Sequence, residues 1–283
     1  MPSATSSLDQ YLSYYLGIPG LSAIGVLSLF ALGVIRIAPI VSLVPFFGSK
    51  LSPAPARIGI AIILTLVFMP TIIHSSNLAI TFNAAMIGYA LKEFVIGFFI
   101  AFLAMIPFLI ANTAGLLIDY MRGASMMQMQ DPNLQSQTSP IGQLYNYVLI
   151  LIFFVVGGPF FFFDAIQQSF QFMPVDAWLK LGAFSQRTPL FKLLVDVVNQ
   201  VMTIAIQLGA PAILAILMTE VFLGIANRLA QQVQIAFLGM SLKSLAALTL
   251  LWAGWFFTLK VLSKQTLDWF KMIDNILYTL KIH

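Results

Sequence analysis

Apolar positions fall in six long runs, at about 21–46, 57–73, 83–118, 143–173, 193–226 and 235–260, with short polar joints between them. About 20 apolar residues suffice for a helix to cross a bilayer, so each run predicts a membrane helix. Several runs exceed one crossing, which predicts tilt, kinks or projection beyond the lipid. No Asp, Glu, Lys or Arg interrupts Ile58–Leu91, Phe94–Ile118, Pro132–Phe163 or Val197–Thr219. Pro39, Pro45, Pro107, Pro159 and Pro211 sit inside or at the ends of the runs. Each lacks a backbone donor and predicts a kink or break. The expectation is an all-α, multi-pass membrane protein of about six long, Pro-kinked segments. No repeat at a period of 20–50 residues is visible, and no segment is large enough for a soluble domain.

The joints and the tail refine this outline. Ser49 to Arg57 reads as a Pro-rich turn, His74 to Asn77 as a tight polar connection, and Met173 to Lys192 as a longer irregular joint. In the tail, Thr266, Trp269, Phe270, Ile273, Ile276, Leu277 and Leu280 recur at helical spacing. Lys264, Asp268, Lys271 and Asn275 take the opposite face. That pattern predicts an amphipathic helix, either in the membrane interface, on a partner helix or folded on its own bundle.

Composition places the chain firmly in the membrane class: 60% of residues are hydrophobic and 8% charged, against about 25% charged in soluble domains. The first base is Arg36, so the basic start of a cleavable signal is missing and the first run is expected to be retained. Lys180, Arg187, Lys192 and the tail lysines outnumber Lys50, Arg57, Arg122 and Arg228. By the positive-inside rule, the 174–192 joint and both termini are expected in the cytoplasm. The net charge of +4 is scattered, which argues against nucleic-acid binding. Without cysteine there are no disulfides or thiolate ligands. The only histidines are His74 and His283, and no GxxxxGK[ST], HExxH or GxSxG occurs. Neither an enzyme nor a resident cofactor or metal is therefore expected.

The scarce ionisable groups within the runs are Arg36, Lys92, Glu93, Asp164, Glu220 and Lys243. Facing lipid, each would cost about 2.5–3.5 kcal/mol at a helix centre. They read either as an ion pathway or as charges neutralised at subunit contacts and helix ends. Lys92 and Glu93 are sequence neighbours, so they point to different faces and are not expected to pair. Asp119 to Gly142 reads as a polar, irregular segment between two apolar runs, which must face water, a lumen or protein. It carries Asp119 and Arg122 at pairing distance and Met121, Met126, Met127 and Met129, with Gly123 inside it and Gly115 just ahead of it for close approach or a turn. Methionines there suit either a compliant seal or ordinary gap filling. Phe160 to Phe163 read as bulky packing or lipid-facing surface.

Four blocks, in order, resemble the FliR/SctT family of type III secretion and flagellar export subunits. They are Phe47-Gly48-Ser49 through Pro53 to Arg57; Glu93-Phe-Val-Ile-Gly97; Ala114-Gly115 through Ile118-Asp119 to Gly123 and Asp131-Pro132; and Leu223-Gly224 through Asn227-Arg228 to Gly239-Met240-x-Leu242-Lys243. One departure is Gln231-Gln232, where relatives usually carry Pro-Gln. The resemblance implies an R-like helical unit over 1–176, with a 112–142 plug and polar joint. An S-like hairpin over 193–262 and an amphipathic tail over 263–283 would follow. It implies an inner-membrane export gate, built with R-type and S-type subunits and engaging a U-type switch protein, through which unfolded proteins leave. The pore plug would then fall on Asn112, Gly115, Asp119, Arg122 and Gly123, with Met126, Met127 and Met129 following. Glu93, Asp131, Pro132, Glu220, Arg228 and Lys243 would serve interfaces or structure. A small-solute secondary transporter is the alternative; it calls for a mid-membrane pocket and usually an internal repeat.

Overall fold

The structure, a computed structural model, describes residues 23–48, 52–76, 85–123, 139–178, 189–229 and 235–281. Regular structure among these residues is entirely helical: α1 Ala23–Leu43, α2 Ala54–Ser75, α3 Ala85–Met121, α4 Pro140–Val155, α5 Gly158–Phe172, α6 Pro189–Leu229, α7 Ile235–Ala253 and α8 Trp255–Lys281. A 3₁₀ turn, Pro45–Phe47, follows α1 and ends at Gly48, whose φ of 74° is in the left-handed region that glycine tolerates. Pro55 lies in the first turn of α2, where its missing N–H costs no helical bond.

Among the described residues, four unbroken helices are long and apolar enough to cross a membrane: Ile24–Leu43, Ala54–Ser75, Ala85–Met121 and Val195–Leu229. Two broken pairs bring the total to as many as six. The expected all-α multi-pass class is therefore met. At 1.5 Å per residue the 41-residue α6 is about 60 Å long, twice the roughly 30 Å hydrocarbon core. Pro39, Pro70, Pro107 and Pro211 all lie inside helices.

The two broken runs part at glycine. The 143–173 run ends one helix at Val155 and begins another at Gly158; between them Gly157 takes φ 79°, and Pro159 follows in the new first turn. The 235–260 run bends by 66° at Gly254. Backbone bonds from Gly254 N to Leu250 O (2.8 Å) and from Thr258 N to Gly254 O (3.0 Å) carry the ladder across this bend. Both ends of the polar 119–142 segment, expected to be irregular, are helical. Asp119 to Met121 remain helical, and α4 starts at Pro140. His74, expected in a joint, is in the last turn of α2.

The chain forms two compact units: Met1–Met105 with Pro159–Thr188 and Phe270–His283, and Ile106–Gly158 with Pro189–Trp269. In the first, Leu32, Ile37 and Ile40 of α1, Ile72 of α2, Leu103 of α3 and Ile166 of α5 are fully buried. Phe46 meets Phe162 edge-on at 5.0 Å. The Phe160–Phe163 run divides between both expected roles, Phe162 in the core and Phe160 at 80% exposure. In the second unit Ala111, Ala114 and Ile118 of α3, Leu149 and Phe153 of α4, and Ala205 and Ile216 of α6 are buried. Helix α8 runs through the tail, with Thr258, Leu262, Thr266 and Trp269 buried and Lys264 and Asp268 exposed; the side chains of Phe270, Lys271, Ile273, Asn275, Ile276, Leu277 and Leu280, on which the rest of the expected amphipathic pattern falls, lie outside the described residues.

Candidate functional site

The C-terminal end of α3 is fastened to the start of α4. Asp119 is 3% exposed. Its Oδ1 accepts from Arg122 Nε at 2.7 Å, and Arg122 Nη2 lies at 2.6 Å. Its Oδ2 accepts from the Ser139 hydroxyl and from the Ile141 N–H at 3.1 Å. Ser139 caps α4, its Oγ accepting from Gly142 N at 2.9 Å. The Asp119 carboxylate thus sits at a helix N-terminus, where unpaired N–H groups and the macrodipole favour an anion. Gly115, one turn back, makes the approach possible. A β-carbon there would overlap the backbone of Ile141 and Gly142. Asn112, a further turn back, runs alongside Gly142.

The same node reaches α7. Arg122 Nη1 donates to Ser244 Oγ at 3.1 Å, and Gly123, at φ 91°, turns the chain beside Met240. Two of the sequence blocks, 114–123 and 239–243, therefore meet in space. Met126, Met127, Met129, Asp131 and Pro132 lie outside the described residues, as does Gln231-Gln232.

Glu93, near the other end of α3, belongs to a second node. It is fully buried and held by two prongs of Arg36 from α1, Nε to Oε2 and Nη2 to Oε1 at 2.9 Å. Arg36 also donates to the Ser169 and Met173 carbonyls at 2.9 and 2.7 Å, and Phe170 lies 4.3 Å beneath its guanidinium. Lys92 Nζ reaches Glu93 Oε1 at 2.7 Å and donates to the carbonyls of Pro174, Val175 and Ala177 at 2.9, 2.9 and 2.8 Å. The expectation that Lys92 and Glu93 would not pair is therefore corrected. The lysine's four-carbon stem lets its ammonium swing around the helix to a carboxylate that its backbone position does not face. Gly97 lies one turn from Glu93; a β-carbon on it would overlap the Arg36 carbonyl and approach Pro39 Cγ.

The remaining candidates are more exposed. Glu220 of α6 bonds Lys243 of α7, with side-chain exposures of 49% and 19%. Arg228 is exposed in the last turn of α6. Asp164 is exposed and accepts from Gln168 at 2.9 Å. No three His, Asp or Glu side chains converge as metal ligands among the described residues. Sequence reasoning missed Ser139, although Ser before Pro at the head of an apolar run is a helix-start signature. It also missed Ser244 and Ser169, for which no local signal exists. Arg36 was noted, but its distance of 57 residues from Glu93 hid the partnership.

Fold and site together define a multi-pass α-helical membrane protein braced by buried ion pairs. The model of bacterial export proteins, family 1, matches residues 27–268, and the chain belongs to that family, the FliR/SctT family. It is 33% identical over 224 residues to the secretion system apparatus protein SsaT of Salmonella typhimurium, covering 78% of this chain and 85% of that protein. It is 32% identical over 195 residues to the Yop proteins translocation protein T of Yersinia pestis, covering 69% and 73%. The flagellar biosynthetic protein FliR of Bacillus subtilis is 28% identical over 223 residues, covering 78% and 84%.

Proposed function

We propose that this chain is a subunit of the inner-membrane export gate of a type III secretion system and forms part of the channel through which unfolded proteins pass. The observation that carries this reading is the family match across residues 27–268, together with relatives named for secretion, translocation and flagellar biosynthesis. Its partners are R-type and S-type subunits and a U-type switch protein. Its role is conduction and gating rather than catalysis, with energy supplied elsewhere. On this reading the chain divides into an R-like unit over 1–176, an S-like hairpin over 193–262 and a tail from 263. The node of Asn112, Gly115, Asp119, Arg122 and Gly123 is the fixed base of the gate. Met126, Met127 and Met129 supply its compliant seal. Glu93, Asp131, Pro132, Glu220, Arg228 and Lys243 brace the fold and its subunit contacts.

The test is purification of the tagged chain from a membrane in which the R-type and S-type subunits are coexpressed, alongside secretion by a strain deleted for this chain. A stoichiometric complex and secretion restored by the plasmid-borne chain are expected. Recovery of the chain alone, or normal secretion in its absence, would overturn the reading.

A further inference from the structure

Helix α8 starts just after the Gly254 bend, and its two faces behave differently along its length. On the inward face Thr258, Leu262, Thr266 and Trp269 are all buried. Leu262, Thr266 and Trp269 line a small cavity with Leu149 of α4 and Ile204 and Leu208 of α6, so this side rests on the chain itself. The outward face changes character. Phe256 and Phe257 are 80% and 65% exposed, and Lys260, Lys264 and Asp268, at successive turns beyond, are exposed as well. Steps of four residues keep Phe256, Lys260, Lys264 and Asp268 on one side of the helix, with Phe257 beside them. Among the described residues, neither lysine makes a hydrogen bond or an ion pair, even with Asp268 one turn from Lys264.

One face stays buried while the other turns from aromatic to charged, so the surroundings change along α8 and the packing does not. The broken pair that is apolar enough to form one membrane span ends at Thr266, which puts both lysines in its last turns. About 12 Å along the axis separates Phe256 from Lys264, enough to pass from hydrocarbon through the roughly 5–7 Å of headgroup region on one side of a bilayer. Lysines so placed lay their methylene stems along apolar surface and lift the ammonium to the headgroups. A protein neighbour would need a face that switches from apolar to acidic at the same level. A bilayer with anionic headgroups has that profile all along its edge. A phosphocholine headgroup would set a repelling cation beside each phosphate.

We propose that the outward face of α8 binds anionic phospholipid, with Phe256 and Phe257 against the acyl chains and Lys260 and Lys264 on the phosphodiester headgroups. The site requires only that the chain sits in a membrane, and stands apart from the export-gate reading.

The chain has no cysteine, so Phe257→Cys introduces a single thiol to carry a bimane fluorophore. The labelled chain, with any subunits that copurify, is reconstituted into phosphatidylcholine containing brominated phosphatidylglycerol or brominated phosphatidylcholine. Quenching by each reports which lipid lies beside α8. Both should quench, phosphatidylglycerol at the lower mole fraction. A lysine near an anionic surface contributes about a fivefold preference, so Lys260→Gln with Lys264→Gln in the same background should bring the two lipids close to parity. Equal quenching before the lysines are replaced, or an unchanged preference afterwards, would overturn the proposal. So would quenching by neither lipid, which would mean that protein or water covers the face. If the label at 257 prevents insertion, Phe256→Cys reports the same face by the same criteria. Recovery of the chain without other subunits would remove the export-gate reading and leave this test intact. Absence of lipid preference in a complex that assembles and secretes would remove only the lipid site.

Discussion

Helix α3 bears a buried carboxylate near each end, and each has a glycine one turn towards the helix middle. Glu93 and Gly97 bring in α1; Asp119 and Gly115 bring in α4. The local device is the same: glycine lets the second backbone close in, and the carboxylate bonds what arrives. The surroundings differ. Glu93 and Arg36 are both fully buried, and the cations bonding Glu93 are themselves saturated by backbone carbonyls. Asp119 is nearly as buried, but Arg122 retains 16% side-chain exposure and divides its donors between Asp119 and Ser244 of α7. The Glu93 node is closed on itself. The Asp119 node sits where the chain turns at Gly123 and has one member at the surface, which makes it the better candidate for a working part.

The largest effect is expected at the closed node. Glu93→Ala strands two buried cations, and breaking a buried pair by removing one partner costs about 3–5 kcal/mol. The chain should then be lost from the membrane, read as a shortened half-life in pulse-chase when it is coexpressed with its partners. The comparison sharpens with Arg36→Met combined with Glu93→Leu. Apolar replacement of an entire buried pair is often harmless. Here it leaves Lys92 without its acid and the Met173 carbonyl without its guanidinium donor, so no rescue is expected. A half-life equal to that of the unsubstituted chain for either variant would break the closed-node description.

Asp119→Ala comes next. It removes the acceptor for Arg122, Ser139 and the Ile141 N–H, and hydrogen bonds to charged groups contribute about 1.5–3 kcal/mol each, without simple additivity. Arg122→Ala should be milder, because Asp119 keeps its two α4 partners. Considered alone, the i, i+3 pair predicts that Asp119→Arg with Arg122→Asp restores function. With α4 in place the expectation reverses, since an arginine at 119 would present donors to the Ile141 N–H and to the positive end of a helix. The measurement is complex yield and secretion for the two single variants and the exchange. Rescue by the exchange would show that the α4 contacts contribute little.

The same contrast explains what could be read from sequence. Helix class and most spans were legible because they depend on long apolar runs, and the Asp119–Arg122 pair because it is local. The Glu93 node was not, since Arg36, Ser169 and Ala177 converge on it from distant positions and only tertiary packing unites them. The bend at Gly254 was hidden because glycine is unremarkable inside an apolar run, whereas proline announces itself. The central block was legible as a composition but misjudged as a shape. Polar residues from Asp119 onwards suggested an irregular chain, while a buried carboxylate bonded to the next helix's N-terminus keeps α3 wound through Met121.

Gly115→Ala and Gly97→Ala test the shared part of the two nodes. Overpacking by one methyl generally costs about 1–3 kcal/mol, and in both places the new carbon meets backbone, which yields less readily than a side-chain tip. The thermal midpoint of the purified complex should fall for both. Gly115→Ala should also lower secretion by more than its loss of yield explains, because it parts Asp119 from the start of α4. If the two variants lose secretion only in proportion to yield, the Asp119 node is packing like its counterpart.

The smallest effect is expected at Glu220 and Lys243, which share the carboxylate–cation chemistry but not the enclosure. Glu220 is half exposed and makes one bond, to a lysine that is itself partly exposed. Such exposed pairs typically contribute about 0–1 kcal/mol, and glutamine at 220 keeps an oxygen to accept from Lys243. In the detergent-solubilised chain alone, Glu220→Gln should therefore leave the thermal midpoint nearly unchanged. Its effect should grow in the assembled complex if a neighbouring helix covers this face, because water then no longer shares the solvation of the pair and the loss of charge is felt more strongly. Comparing the midpoint shift in the chain with that in the complex isolates the difference. A large shift in the chain alone would place Glu220 with Glu93 as an internal brace, and equal small shifts in both would leave this face outside any subunit interface.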